Sequence, residues 1–110
     1  MPFVQVTQIQ FKELVIDEEV KSICDGALAL KASCLHPTTG QPLIKSITGG
    51  IDHSTEGRQG GMTHVFVTEF ETEDDRRIYV NEDQQHRKFC EELSDMTAKI
   101  SIVDFAPGVF

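Results

Sequence analysis

The run Gly60-Gly61-Met62-Thr63-His64-Val65-Phe66-Val67-Thr68-Glu69-Phe70-Glu71 constrains the fold more than any other stretch of this chain. A glycine pair releases a segment of strand-forming residues that alternates with period two. Successive strand side chains point to opposite faces, so His64, Phe66, Thr68 and Phe70 share one face while Thr63, Val65, Val67 and Glu69 share the other. Apolar groups on both faces predict a central strand that needs cover on both sides. A chain of 110 residues, expected to form one domain, supplies helices for one face but hardly for two. A second copy of the chain is the natural cover for the other.

The remaining elements follow from periodicity. Phe3 to Phe11 alternates as a first strand, with Gln5 and Thr7 on the same side as Phe3, Ile9 and Phe11. Asp17 as N-cap, with Glu18 and Glu19 in the first turn, opens a helix expected to run to Ala32. The turn-rich segment His36-Pro37-Thr38-Thr39-Gly40-Gln41-Pro42 ends it, His36 being read as a solvated loop residue. Leu43 to Ile51 reads as a second strand whose glycines mark a bulge or a close approach. Asp52 to Gly61 is a polar, mobile connection. Thr72 caps a short helix ending at Ile78-Tyr79-Val80, and Asn81-Glu82-Asp83 interrupts it. A further helix then aligns His86, Phe89, Cys90, Leu93 and Met96 on one face. Lys99 to Phe105 forms the last strand. The predicted class is α+β, a ferredoxin-like βαββαβ order with both helical segments on one face of an antiparallel sheet.

A net charge of −8 without a basic stripe argues against binding nucleic acid or anionic membrane surfaces, and leaves small neutral or apolar ligands as the favoured class. Cys24, Cys34 and Cys90 show no C-x-x-C spacing and sit in apolar patterns, which points to reduced thiols and a cytoplasmic protein. No stretch has the pattern of a signal peptide or the length of a membrane span. Asp52, His53 and Glu56 are ligand-type residues in a polar loop, where such groups are normally solvated, so no metal site is expected there.

Several short pieces also resemble one family. These are Phe11-Lys12, Gly61-Met62-Thr63-His64-Val65 leading to Phe70-Glu71, Tyr79 followed by His86 and Phe89, and Val103-Asp104-Phe105. Together they are similar to the stress-responsive dimeric α/β-barrel (Dabb) family over nearly the whole chain. The resemblance implies a ferredoxin-like protomer whose sheet pairs face to face with its twin in a homodimeric barrel. It also implies, by likeness to the family's olivetolic acid cyclase, a cofactor-free enzyme with His86 as catalytic acid–base group and Tyr79 positioning the substrate. His64 would line the same cavity, with Gln5, Thr7, Phe66 and Phe89 as further substrate-binding residues. Two departures stand out: Gln5 replaces the strand-one histidine of the cyclase, and Glu82-Asp83-Gln84-Gln85, one residue longer, replaces its His-Pro pair.

The residue types suit the chemistry. Aldol closure or dehydration next to a carbonyl needs a base that works near neutral pH, and imidazole meets that need. The phenol of Tyr79, the chain's single tyrosine, can donate to a developing enolate. The expected function is a cyclase or dehydratase/lyase acting on a polyketide-like or other apolar carbonyl compound. The alternatives are a non-catalytic stress-responsive protein binding a small apolar or phenolic ligand in the same pocket, and a cofactor-free monooxygenase, against which the absence of tryptophan counts.

Overall fold

In the computed structural model, which describes residues 2–110, strand β1 (Phe3–Phe11) pairs antiparallel with both β3 (His64–Phe70) and β4 (Thr97–Phe105). Strand β2 (Ser46–Ile51) adds to the free edge of β3, giving the order β2-β3-β1-β4. Helix α1 (Asp17–Ser33) connects β1 to β2, and helices α2 (Glu73–Asn81) and α3 (Gln84–Met96) connect β3 to β4. This is the expected ferredoxin-like arrangement with the second helical segment broken in two. Strand β3 is internal, as its two-sided pattern requires.

Register aligns side chains into rows on the helix-covered face. One row reads Ile47, Thr68, Gln5, Asp104, and the next reads Gly49, Phe66, Thr7, Ile102. The third reads Ile51, His64, Ile9, Ile100. A polar row thus crosses the sheet beneath the helices, and its outer end is held where Arg76 pairs with Asp104 at 2.9 Å and lies over the Phe3 ring. Around it sit two apolar clusters. Ile9, Ile23, Ala27, Phe66 and Leu93 form one, and Leu30, Cys34, Leu43, Ile44, Phe70 and Tyr79 belong to the other. Burying a side chain such as Phe70 or Ile9 completely contributes about 1.5–3 kcal/mol each. On the opposite face Val67, Val6 and Val103 form an apolar row over which no helix of the described residues packs; Val6 and Val67 are half-buried and Val103 remains 59% exposed.

Several boundaries differ from the sequence reading, each for a local reason. The cap of α1 is Ile16, whose N–H donates to Glu19 Oε1 at 3.2 Å, and Asp17 is the first helical residue. The helix ends one residue past Ala32, at Ser33. Strand β2 begins at Ser46; Leu43 and Ile44, both buried, precede it outside the strand and pack into the core. Strand β4 begins at Thr97, whose hydroxyl donates back to Leu93 O at 2.9 Å. His36 organises its turn: Nδ1 accepts the N–H groups of Thr38 and Thr39 at 3.1 and 3.3 Å. The loop from Asp52 is tethered at both ends, Asp52 N–H to Thr63 O and Lys99 Nζ to Gly60 O, both at 2.8 Å. Gly60 and Gly61, at φ 63° and 85°, make its turn into β3 in a conformation that glycine adopts readily.

Of the two glycines in β2, Gly49 marks a close approach, while a Cβ at Gly50 would meet open space. A Cβ at Gly49 would collide with the Phe66 ring and lie 2.6 Å from Val65 O. The ring therefore occupies the space that a side chain would fill. Gly49→Ala is expected to destabilise the fold by about 1–3 kcal/mol through overpacking, seen as a lower urea midpoint. An unchanged midpoint would show that the ring moves aside without cost.

Candidate active site

The break between α2 and α3 builds the site. Asp83 N–H turns back to Ile78 O at 3.0 Å, which leaves the Tyr79 carbonyl without its helical partner. Asp83 then caps α3, its carboxylate accepting His86 N–H at 2.8 Å, and this fixes His86 in the first turn. From there His86 Nδ1 lies 2.9 Å from the Tyr79 carbonyl oxygen. A carbonyl only accepts, so Nδ1 carries the proton and Nε2 the lone pair. The two rings stack at 3.9 Å between centroids with planes 27° apart, so the imidazole is held in direction as well as tautomer. Cys90, one helical turn on, places Sγ 3.2 Å from Nε2, and its thiol is the donor of that pair.

These groups border a cavity of about 40 Å³ between the helices and the sheet. Tyr79, His86, Phe89 and Cys90 form its helical side, with Ala27, Leu30 and Leu93. The sheet contributes Gln5, Thr7, Phe66 and Thr68. Ile47 and Ile102 reach it from the two outer strands, where register brings them into the same rows. Gln5 and Thr68 are both buried, neighbours across the β1–β3 pair, so the apolar walls carry a short polar strip.

Burial sets the electrostatics. It lowers the pKa of His86, with the hydrogen bond to Tyr79 O and the nearby Asp83 carboxylate opposing the shift, so the ring stays a neutral base. Burial raises Tyr79, which remains a phenol able to donate, and raises Cys90, which remains a thiol. Cys34 is fully buried, and burial together with Asp83 pushes its thiol up to about 12. These neutral forms are what an apolar cavity favours.

Of the residues singled out in the sequence, Gln5, Thr7, Phe66, Tyr79, His86 and Phe89 meet at this cavity. His64 does not. It faces a separate and wider hollow of about 510 Å³ bordered by α1 and β2, and its ring meets Phe11 edge-on at 5.1 Å. Its Nδ1 is 2.9 Å from the Thr63 hydroxyl. The Phe66 ring, seated over Gly49, lies next to it in the sheet and borders both hollows, so a place on the helix-covered face of β3 does not bring His64 to His86. Cys90 was read in the sequence as a reduced thiol on the His86 helical face and given no part in the site, although its spacing of four from His86 is the signal that pairs them.

The model of the stress responsive A/B barrel domain matches residues 4–107. The chain belongs to that family. No curated protein matches the sequence of this Dabb domain. Among solved structures, a protein of Arabidopsis thaliana superposes with a TM-score of 0.84 at 23% identity, covering 98% of this chain and 97% of its own. The hydroxynitrile lyase of Passiflora edulis gives 0.85 at 17% identity, covering 99% and 96%. A Thermobifida fusca protein described as dimeric and ferredoxin-like gives 0.75 at 21% identity, covering 96% and 91%. At these identities the likeness is one of fold. Among the described residues of this Dabb domain, no helix is long and apolar enough to cross a membrane, and no group of three or more His, Cys, Asp or Glu is arranged to hold a metal ion.

The lowered pKa of His86 has a consequence for stability. An unfolded chain takes up the imidazole proton near the ordinary value of about 6.5, whereas the folded cavity refuses it until a lower pH. Between those two values the unfolded state binds more protons, so stability falls as pH drops through the window and is restored above it. His64, also lowered by burial, adds in the same direction. Urea midpoints measured at about pH 7.5 and about pH 5.5 should therefore differ less in His86→Gln than in the parent chain. An equal difference in both would contradict the assignment.

Proposed function

We propose that this protein is a cofactor-independent lyase or cyclase acting on an apolar carbonyl compound or its hydroxyl-bearing adduct. His86 is the general base and Tyr79 the donor to the developing oxyanion. The observation that carries this reading is a neutral imidazole, fixed in tautomer by the Tyr79 carbonyl, on the wall of an apolar cavity. Nε2 takes a proton from the carbon next to a carbonyl, or from a hydroxyl whose carbon then releases its leaving group. Negative charge gathers on the substrate oxygen, where the Tyr79 phenol and the Gln5 amide are the available donors. The structural likeness to a hydroxynitrile lyase supports the lyase branch. A cavity of about 40 Å³ favours small substrates over a polyketide chain unless the helices part.

We further propose that the chain works as a single domain in a homodimer, with the outer sheet faces together. The uncovered row of Val67, Val6 and Val103 supports this, as do three neighbours described as dimeric ferredoxin-like proteins. Free Cys24, Cys34 and Cys90 suit a reducing compartment such as the cytoplasm.

Two measurements test these readings. In a screen of small aldehydes, ketones and their cyanohydrins, His86→Ala should lower kcat/KM by about 10²–10⁴-fold and Tyr79→Phe by about 10²-fold. Turnover unaffected by His86→Ala would exclude it as the base, and ligands bound without any turnover would make the cavity a binding site only. In sedimentation, the parent chain should run as a dimer and Val6→Glu as a folded monomer. A folded monomer of the parent chain would exclude the interface.

A further inference from the structure

The arrangement at Cys90 goes beyond a base waiting for a carbonyl substrate. We propose that Cys90 is the nucleophile of a Cys90–His86 pair, and that the cavity captures small uncharged α,β-unsaturated carbonyl compounds as thioether adducts. The geometry has the three parts that an activated nucleophile requires: a thiol 3.2 Å from the base nitrogen, the base itself, and a group that orients the base from its other side. Here the Tyr79 carbonyl is that third group, and it leaves Nε2 free to take the thiol proton.

The chemical class of the electrophile follows from the walls. Buried apolar side chains exclude a charged ligand, and about 40 Å³ admits roughly three water-sized groups, enough for a compound of a few heavy atoms. Acyl transfer to sulfur would need room for a leaving group and later for water. Conjugate addition needs neither. The S–H bond breaks as its proton passes to Nε2, and the sulfur electron pair forms a bond to the β-carbon. The carbon–carbon π pair moves toward the carbonyl, and the Tyr79 phenol can donate to the resulting enolate oxygen. Nε2 then returns the proton to the α-carbon, so every atom and electron of thiol and enone is kept in the adduct. In the resting state burial keeps thiol and imidazole neutral, so the proton moves during attack rather than before it. This chemistry shares its base with the lyase reading but stands without it, since it requires no turnover.

Two other thiols serve as internal controls. Cys34 is fully buried beside an acidic group, and in the half-buried Cys24 burial together with the Asp25 carboxylate beside it raises the thiol pKa. The test is to incubate the full chain with methyl vinyl ketone and follow each cysteine by peptide mass mapping. Cys90 should be labelled at least about tenfold faster than in the urea-unfolded chain, and His86→Gln should abolish that advantage. In the parent chain the Cys90 rate should level off at or below neutral pH, where the imidazole loses its proton, while the unfolded thiol continues to rise toward pH 9. Labelling no faster than in the unfolded chain, or a folded-state rate that climbs with pH like a simple thiol, would overturn the assignment. The pH profile decides the matter even if His86→Gln fails to fold.

Discussion

The hydrogen bond from His86 Nδ1 to the Tyr79 carbonyl is the contact on which the site depends. It exists because the helical segment between β3 and β4 breaks at Glu82–Asp83, where Asp83 N–H reaches back to Ile78 and strands one carbonyl. That carbonyl is satisfied by a side chain that the next helix supplies. That bond ties α3 to the end of α2, selects the tautomer of a half-buried imidazole and presents Nε2 to the cavity wall. An uninterrupted helix would satisfy the carbonyl with its own backbone and leave His86 without an anchor.

The sheet divides the remaining work between its faces. On the covered face a polar strip, Thr68 with Gln5, runs under the helices and ends at the Arg76–Asp104 pair, so buried hydrogen-bonding groups stand opposite the imidazole in an otherwise apolar space. Such groups are costly to bury without partners, and a ligand offering a carbonyl or hydroxyl would satisfy them. The other face carries valines and little charge, which fits association with a second sheet better than contact with water.

Most of the architecture was legible because period and punctuation agree. The bounds of β1 and the central placement of β3 follow from alternation alone, and the Thr72 cap and the interruption before α3 from turn and capping residues. Less legible were features set by tertiary contact. Leu43 and Ile44 look like strand residues, yet both are drawn into the core ahead of β2. His64 and His86 carry the same chemistry, but the Phe66 ring filling the space above Gly49 assigns His64 to a different hollow. No spacing in the sequence encodes that exclusion. The thiol at Cys90 lay on a recognised helical face, and only the direction of the His86 ring, fixed from the preceding helix, turns the neighbours into a pair. Orientation of this kind is a long-range property that propensity does not carry.

The most direct measurement is the nitrogen-15 spectrum of the His86 ring near neutral pH. A single neutral tautomer is expected, with a protonated, pyrrole-type Nδ1 bonded to the Tyr79 carbonyl and a pyridine-type Nε2. A protonated ring, or a proton residing on Nε2, would contradict the site as described, because no lone pair would then face the cavity.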